Sequence, residues 1–106
     1  MKFAALVAAA ALSMAGAPAM ADDAQLARGK ELFMSKAVPA CAVCHTLADA
    51  GASGAIGPNL DELKPDAARV MKALKEGLGT MPSFAATLNA ADMEAVTAYV
   101  VHATSK

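Results

Sequence analysis

No tryptophan occurs in this chain of 106 residues, and it has only one tyrosine, three phenylalanines and two cysteines. Each shortage excludes something. Beyond the first twenty residues the aromatics are Phe33, Phe84 and Tyr99, too few for aromatic burial to dominate the core. The two cysteines, Cys41 and Cys44, allow at most one disulfide, and its loop is too small to constrain the unfolded chain much. Neither sign of charge is in excess: nine Lys and Arg against ten Asp and Glu leave a net charge of −1. Such a balance gives no basic face for nucleic acid or anionic lipid, so neither is expected as a partner. Runs that alternate apolar and polar over strand length are missing too, and essentially no sheet is expected. There are no internal repeats and no linker between domains.

What is present begins at the N-terminus. Met1-Lys2 is a short positive start, Phe3 to Met14 is nearly all Ala, Leu, Val and Met, and Ala19 and Ala21 form an A-x-A pattern. This three-part pattern is that of a secretory signal peptide over residues 1–21, cleaved before Asp22. Its apolar run falls short of the roughly 20 residues a membrane-spanning helix needs, and no later stretch could span a bilayer. The chain is therefore expected to be exported to the periplasm, with residues 22–106 as one domain. At that size, just above the roughly 70–80 residues where a core alone is marginal, a domain usually needs a staple. A large apolar cofactor would supply one.

Helical periodicity places three main helices. The first runs from Asp22 to about Ser35, with Leu26, Gly29 and Phe33 on one face. Gly29 inside it costs up to ~1 kcal/mol against Ala, which points to a packing reason. The second runs from Pro65, at the first helical position, to Glu76, with Gly77 as its left-handed stop. Its apolar face is Ala67, Val70, Leu74 and Leu78. The third runs from Ala90 to Ala103, with Asn89 as N-cap, Asp92 in the first turn, and Met93, Val96 and Val100 as the buried stripe. Residues 48–63 carry Gly51, Gly54, Gly57 and Pro58 and read as loop, as does the stretch from Gly77 to Phe84.

The five residues CAVCH, Cys41 to His45, carry the chemistry. A structural zinc site needs four Cys or His ligands, and beyond these three only His102 remains. A thioredoxin-like C-x-x-C wants a βαβ setting, which this chain does not offer. In an exported chain, C-x-x-C-H is the attachment site of a c-type heme. One turn of chain presents both thiols to the two vinyl groups of a porphyrin, and the adjacent His45 becomes the proximal iron ligand.

For the opposite axial position, Met81 lies in an irregular loop between a Gly-x-Gly and Pro82. The default role of a methionine is core filler. Met71 and Met93 fall within predicted helices and Met34 near the end of the first, so Met81 is the one on a loop that can rise over a heme face. His102, at the end of the last helix, is the lesser candidate for the sixth ligand. A ligating histidine nearly always donates its other ring N–H to a carbonyl or carboxylate. A rigid loop such as Gly57-Pro58-Asn59-Leu60 can present such a carbonyl, although Gly-Pro is also simply a turn.

Taken in order, C-x-x-C-H, then Gly57-Pro58-Asn59-Leu60, then Met81-Pro82-Ser83-Phe84, between helices at both ends, this chain resembles the small class I c-type cytochromes over essentially all of residues 22–106. The resemblance implies an all-α fold wrapped around one covalently attached heme c, with terminal helices crossing at Gly29. It implies that Cys41 and Cys44 form the thioethers, that His45 and Met81 ligate the iron, and that Pro58 offers its carbonyl to the His45 ring. Export fits, because the family's attachment machinery works outside the bacterial inner membrane. The segment GAIGPNLDELKPDAARV is further similar to that of small carriers accompanying bacterial sulfite dehydrogenases.

Met/His ligation raises the potential relative to other axial pairs. An apolar wall, drawn from Val43, Ile56, Leu60, Leu63, Val70, Leu74, Leu78, Phe84 and Leu88, would act in the same sense. The expectation is an electron carrier rather than an enzyme, a monomer moving one electron from a dehydrogenase to an oxidase or another cytochrome. Partners would dock where Ala42 and Val43 bring the thioether edge to the surface, with Lys36 and Lys64 as candidate rim charges. The competing readings are a tightly bound cytochrome subunit of a sulfite dehydrogenase, a heme enzyme or gas sensor with Met81 off the iron, and a heme-free thiol protein.

Overall fold

Three polar side chains decide where the long helices begin. In the computed structural model, which describes residues 21–106, α1 spans Asp23–Glu31 and the Asp22 carboxylate caps it by accepting from the Gln25 N–H at 2.7 Å. Two four-residue helices follow, α2 over Cys41–Cys44 and α3 over Leu60–Leu63. Next, α4 spans Ala67–Glu76, capped by Asp66, which accepts from the Arg69 N–H at 2.8 Å. Last, α5 spans Ala90–Thr104, capped by Asn89 through the Asp92 N–H at 2.8 Å. Each cap satisfies a backbone donor that the helix itself cannot, worth ~1 kcal/mol. The expected signal peptide over residues 1–21 lies outside the described residues apart from Ala21.

The all-α expectation holds, with local corrections. The first helix continues past Glu31 as a wider π-helical turn over Leu32–Lys36, closed by Ala37 N–H to the Leu32 carbonyl at 3.0 Å. The sequence places Pro65 inside the second helix, but Asp66 takes the capping position, so the helix starts at Ala67 and Pro65 is buried ahead of it. Gly77 ends α4 with a positive φ of 72°, yet its ψ of 175° is extended and lies outside the left-handed helical region. Of the apolar face expected for this helix, Leu74 is buried and Val70 half-buried, whereas Ala67 and Leu78 are exposed. The segment read as loop folds a small hairpin, Thr46–Leu47 (β1) against Ala52–Ser53 (β2), around a 3-10 turn at Ala48–Ala50.

The core lies where α1 crosses α5, the most extensive helix contact among the described residues, and α4 packs against α5 beside it. The crossing requires Gly29. A Cβ there would press into the Ala95 carbonyl oxygen and come within 2.6 Å of the Tyr99 Cβ. Beside it Phe33 and Tyr99 meet edge to face, with centroids 6.0 Å apart at 62°. Leu32, Phe33, Leu47 and Val96 are the most deeply buried side chains. Removing such a side chain from water contributes ~1.5–3 kcal/mol. The buried stripe of α5 is broader than expected, adding Ala95, Thr97, Tyr99, Ala103 and Thr104, because α5 is packed on more than one side. The hydroxyls of Thr97 and Thr104 enter without penalty, since each donates to a carbonyl four residues back at 2.8 Å.

The loop over residues 48–50 is tied to the terminal helices by charge. The Tyr99 hydroxyl donates to Asp49 at 2.6 Å, and the Lys106 ammonium sits 3.0 Å and the Lys30 ammonium 3.7 Å from the same carboxylate. These donors hold the Asp49 carboxyl down at about 2, Tyr99 contributing most and Lys106 next. Tyr99, buried against that carboxylate, is raised well above the ordinary phenol range.

Candidate functional site

All five singled-out side chains come from a one-turn helix or from loops that would not be stable alone, so the site depends on how each is tied down. Helix α2 is a single turn, closed by the His45 N–H to the Cys41 carbonyl at 3.0 Å. It holds Cys41 and Cys44 as free thiols on one turn, both half-buried. Burial pushes the Cys41 thiol up to about 11, with the neighbouring Cys44 adding to the effect. The loop after the hairpin is drawn onto α2 by the Gly57 N–H to the Cys44 carbonyl at 2.7 Å.

That placement orients the imidazole. Nδ1 of His45 lies 2.7 Å from the Pro58 carbonyl oxygen. A carbonyl can only accept, so Nδ1 carries the proton and Nε2 is left with its lone pair free. Gly57 makes room for this contact, because a Cβ there would stand 2.6 Å from Cε1 and 2.9 Å from Nδ1 of the ring. Asn59 fixes the far side of the loop by capping α3 through the N–H groups of Asp61 and Glu62. Asp61 in turn accepts from the Ala48 N–H at 2.8 Å, joining α3 to the hairpin.

Met81 is held as firmly. Leu78 and Met81 exchange both backbone hydrogen bonds, at 3.0 and 2.9 Å, around Gly79. The Ser83 hydroxyl donates to the Lys75 carbonyl at 2.6 Å, and the Phe84 N–H donates to the Leu74 carbonyl at 2.7 Å. The methionine loop is thereby closed on itself before Pro82 and fastened to the C-terminal turns of α4 just after it.

These segments enclose a cavity of about 610 Å³ lined by Cys41, Cys44, His45, Pro58 and Met81. All five candidate residues thus meet in one place. Of the expected wall, Ile56, Leu60, Leu63, Val70, Leu74, Leu78 and Phe84 line it, whereas Val43 and Leu88 do not. Val43 turns outward and is 59% exposed, and Leu88 is buried in the core. Phe33, Val96 and Val100 belong to the wall as well, so the stripe of α5 that serves the core also serves the cavity. Lys36 and Lys64 are exposed and line no part of it; the cations at the cavity are Arg69 and Lys72. His102 is exposed, outside the cavity, in a groove with Gln25, Met71 and Glu94. Among the described residues no three His, Cys, Asp or Glu side chains gather to hold a metal ion, so His102 does not complete a zinc set with Cys41, Cys44 and His45.

The cavity fits a heme on its own chemistry. It is apolar over most of its wall, has two thiols on one turn, presents a nitrogen donor already in the right tautomer, and adds a soft sulfur donor. Among the described residues no helix is long and apolar enough to cross a membrane.

The comparisons agree with this chemistry. The family described as cytochrome c oxidase, cbb3-type, subunit III matches residues 24–100. Among solved structures, the c-type cytochrome SorU from Sinorhizobium meliloti superimposes with a TM-score of 0.76 at 49% sequence identity, over 80% of this chain and 97% of that one. No curated protein matches. The cavity, the family match and the structural likeness agree: the chain belongs to the c-type cytochromes, which bind heme c covalently and transfer electrons.

Proposed function

We propose that the chain is an exported one-electron carrier whose heme c is attached through Cys41 and Cys44 and ligated by His45 and Met81. The observation that carries this reading is the shared cavity, in which both thiols, the thioether and an imidazole pinned to the Pro58 carbonyl come together. The heme supplies the one-electron iron couple. The chain tunes it. The Pro58 carbonyl fixes the His45 ring and strengthens its donor nitrogen. The Met81 thioether is a soft donor that favours the lower charge state. The wall of Ile56, Leu60, Leu63, Val70, Leu74 and Phe84 disfavours the extra positive charge of ferric iron.

If His45 and Met81 both held the iron, no coordination position would be left open for a substrate. That favours a carrier over an enzyme. Val43, exposed on the same turn as both thiols, is the surface where a partner would approach the thioether edge. We assign the donor to a dehydrogenase and the acceptor to an oxidase or another cytochrome. The likeness of GAIGPNLDELKPDAARV to carriers of sulfite dehydrogenases points to sulfite as the source of electrons.

The test mixes oxidised holoprotein with periplasmic extract of its own cells, adds sulfite, and follows the heme spectrum, with sulfite alone as control. Rapid reduction that needs the extract supports a sulfite-linked carrier. Reduction by other donors but not by sulfite with extract would overturn the sulfite assignment.

A further inference from the structure

The apolar residues of α5 do not all face the core or the cavity. Val96 and Val100 line the cavity, whereas Ala98 and Val101 line a second, open groove of about 490 Å³ on another face of the same helix. Met71 of α4 completes its floor, and all three residues stay half-exposed. The titratable groups of the groove are Glu94 and His102, both from α5 and both exposed. From the elements packed beside them, α1 adds Gln25 and α4 adds Ala67 and Met71, none of which carries charge. Among the described residues neither Glu94 nor His102 has an ion-pair partner, whereas Arg28, Lys30 and Lys106 each lie within 4 Å of a carboxylate.

Eight residues of helix set Glu94 and His102 about 12 Å apart, too far to pair within one chain. Ala98 lies midway, four residues from each. Two copies of α5 laid antiparallel about a two-fold axis at Ala98 would therefore place Glu94 of each copy opposite His102 of the other. A two-fold interface requires this kind of self-complementarity, in which one surface supplies both halves of every contact. The same docking covers Val101 and Met71, and the small side chain of Ala98 at the axis lets the helices approach. We propose that the groove between α4 and α5 docks a second copy of this chain, through two reciprocal Glu94–His102 ion pairs about Ala98.

The groove and the cavity have no lining residue in common, so the pairing does not use the cavity and does not depend on which residues ligate the iron. Exposed ion pairs contribute little, so the dimer is weak and reversible. The monomer expected from the sequence is then the dilute form. Pairing needs His102 charged, and histidine ordinarily changes charge between about pH 5 and about pH 8, whereas a carboxylate stays ionised there. The imidazolium gains its carboxylate only in the dimer, so association is strongest in acid and is lost as pH rises.

The experiment is sedimentation equilibrium of the holoprotein from about 10 μM to about 1 mM, the range in which weak association shows, at about pH 5.5 and about pH 8. The variants are Glu94→Lys, His102→Glu, the two together, Ala98→Arg, and Glu76→Lys as a carboxylate reversal on α4 that lies off the groove. The parent should rise from one chain toward two with concentration and stop there, more readily at the lower pH. Each single reversal should weaken association about tenfold or more, because attraction becomes repulsion at both pairs. The double reversal restores the pairs as Lys against Glu, so it should recover association and hold it at about pH 8, where the parent loses it. Ala98→Arg should prevent association, and Glu76→Lys should leave it as in the parent. An unchanged heme spectrum checks that each variant is folded. A parent that stays at one chain throughout would overturn the second copy as occupant, whether the groove then takes another protein or nothing. Association that grows beyond two chains, or that the single reversals leave unaltered, would overturn the two-fold pairing.

Discussion

Where α1 crosses α5, the Asp49 carboxylate takes a hydroxyl and two ammonium groups, and Arg28 reaches both Glu31 and Asp92. At the cavity, Arg69 and Lys72 have no carboxylate within 4 Å among the described residues, and two thiols and an imidazole face an apolar space. The first region is satisfied by protein alone. The second holds donors that are positioned but not consumed. The difference teaches how the chain divides its work. The terminal helices and the Asp49 knot fix a frame, and α2, the Pro58 loop and the Met81 loop are fastened to it so that a prosthetic group can complete the rest.

If that division is right, changes at the cavity should alter the heme and changes at the crossing should alter stability. The largest effect is expected for His45→Ala, with stable low-spin holoprotein falling by more than about tenfold, the scale seen when a ligand merely loses its supporting partner. Heme content per chain checks it, and a normal low-spin yield would contradict the proximal role. Next, Met81→Ala should open the iron to carbon monoxide and lower the potential, since the thioether that favours ferrous iron is gone. The fold should survive, because the loop is held by the backbone bonds of Leu78, Phe84 and the Ser83 hydroxyl.

At the crossing, Gly29→Ala gains up to ~1 kcal/mol of helix propensity but pays ~1–3 kcal/mol for a Cβ forced against the Ala95 carbonyl. A net loss of up to about 2 kcal/mol is expected in denaturant unfolding, with the heme spectrum of the folded fraction unchanged. The smallest effect belongs to Asp49→Asn. The carboxyl sits at about 2 in the folded chain against an ordinary 3.8, so its stabilisation is present in full above pH 3.8 and is lost as pH falls toward 2. The variant should lose about 1 kcal/mol or less near neutrality, given the partial exposure of the site, and the gap to the parent should close in acid. Unfolding midpoints measured from neutral pH downward read this directly.

Much of the site was legible before any coordinates, because heme attachment needs a fixed local pattern. Cys41, Cys44 and His45 announce themselves by spacing, and the cavity brings Pro58 and Met81 to them. Gly29 was readable as a packing glycine for the same reason, since nothing local explains it inside a helix. What could not be read depends on long-range pairing. Asp49 belongs to a loop and gains its role mainly from Tyr99 and Lys106, fifty and more residues away. Arg69 and Lys72 look like any solvated helix face until α4 is placed against the cavity. Val43 follows the apolar pattern of a wall, yet the tight turn between two fixed cysteines points it outward. Pro65 fits the preferred first helical position, but the Arg69 N–H donating to the Asp66 carboxylate makes Asp66 the cap and moves the start by two residues.

The claim on which the account turns is that Met81 closes the cavity side by binding the iron. The most direct measurement is the far-red absorption of the oxidised holoprotein, where a methionine-to-ferric-iron band is diagnostic, recorded for the parent and for Met81→Ala. The account predicts the band in the parent and its loss in the variant. A parent without the band, or a variant that keeps it, would contradict the claim.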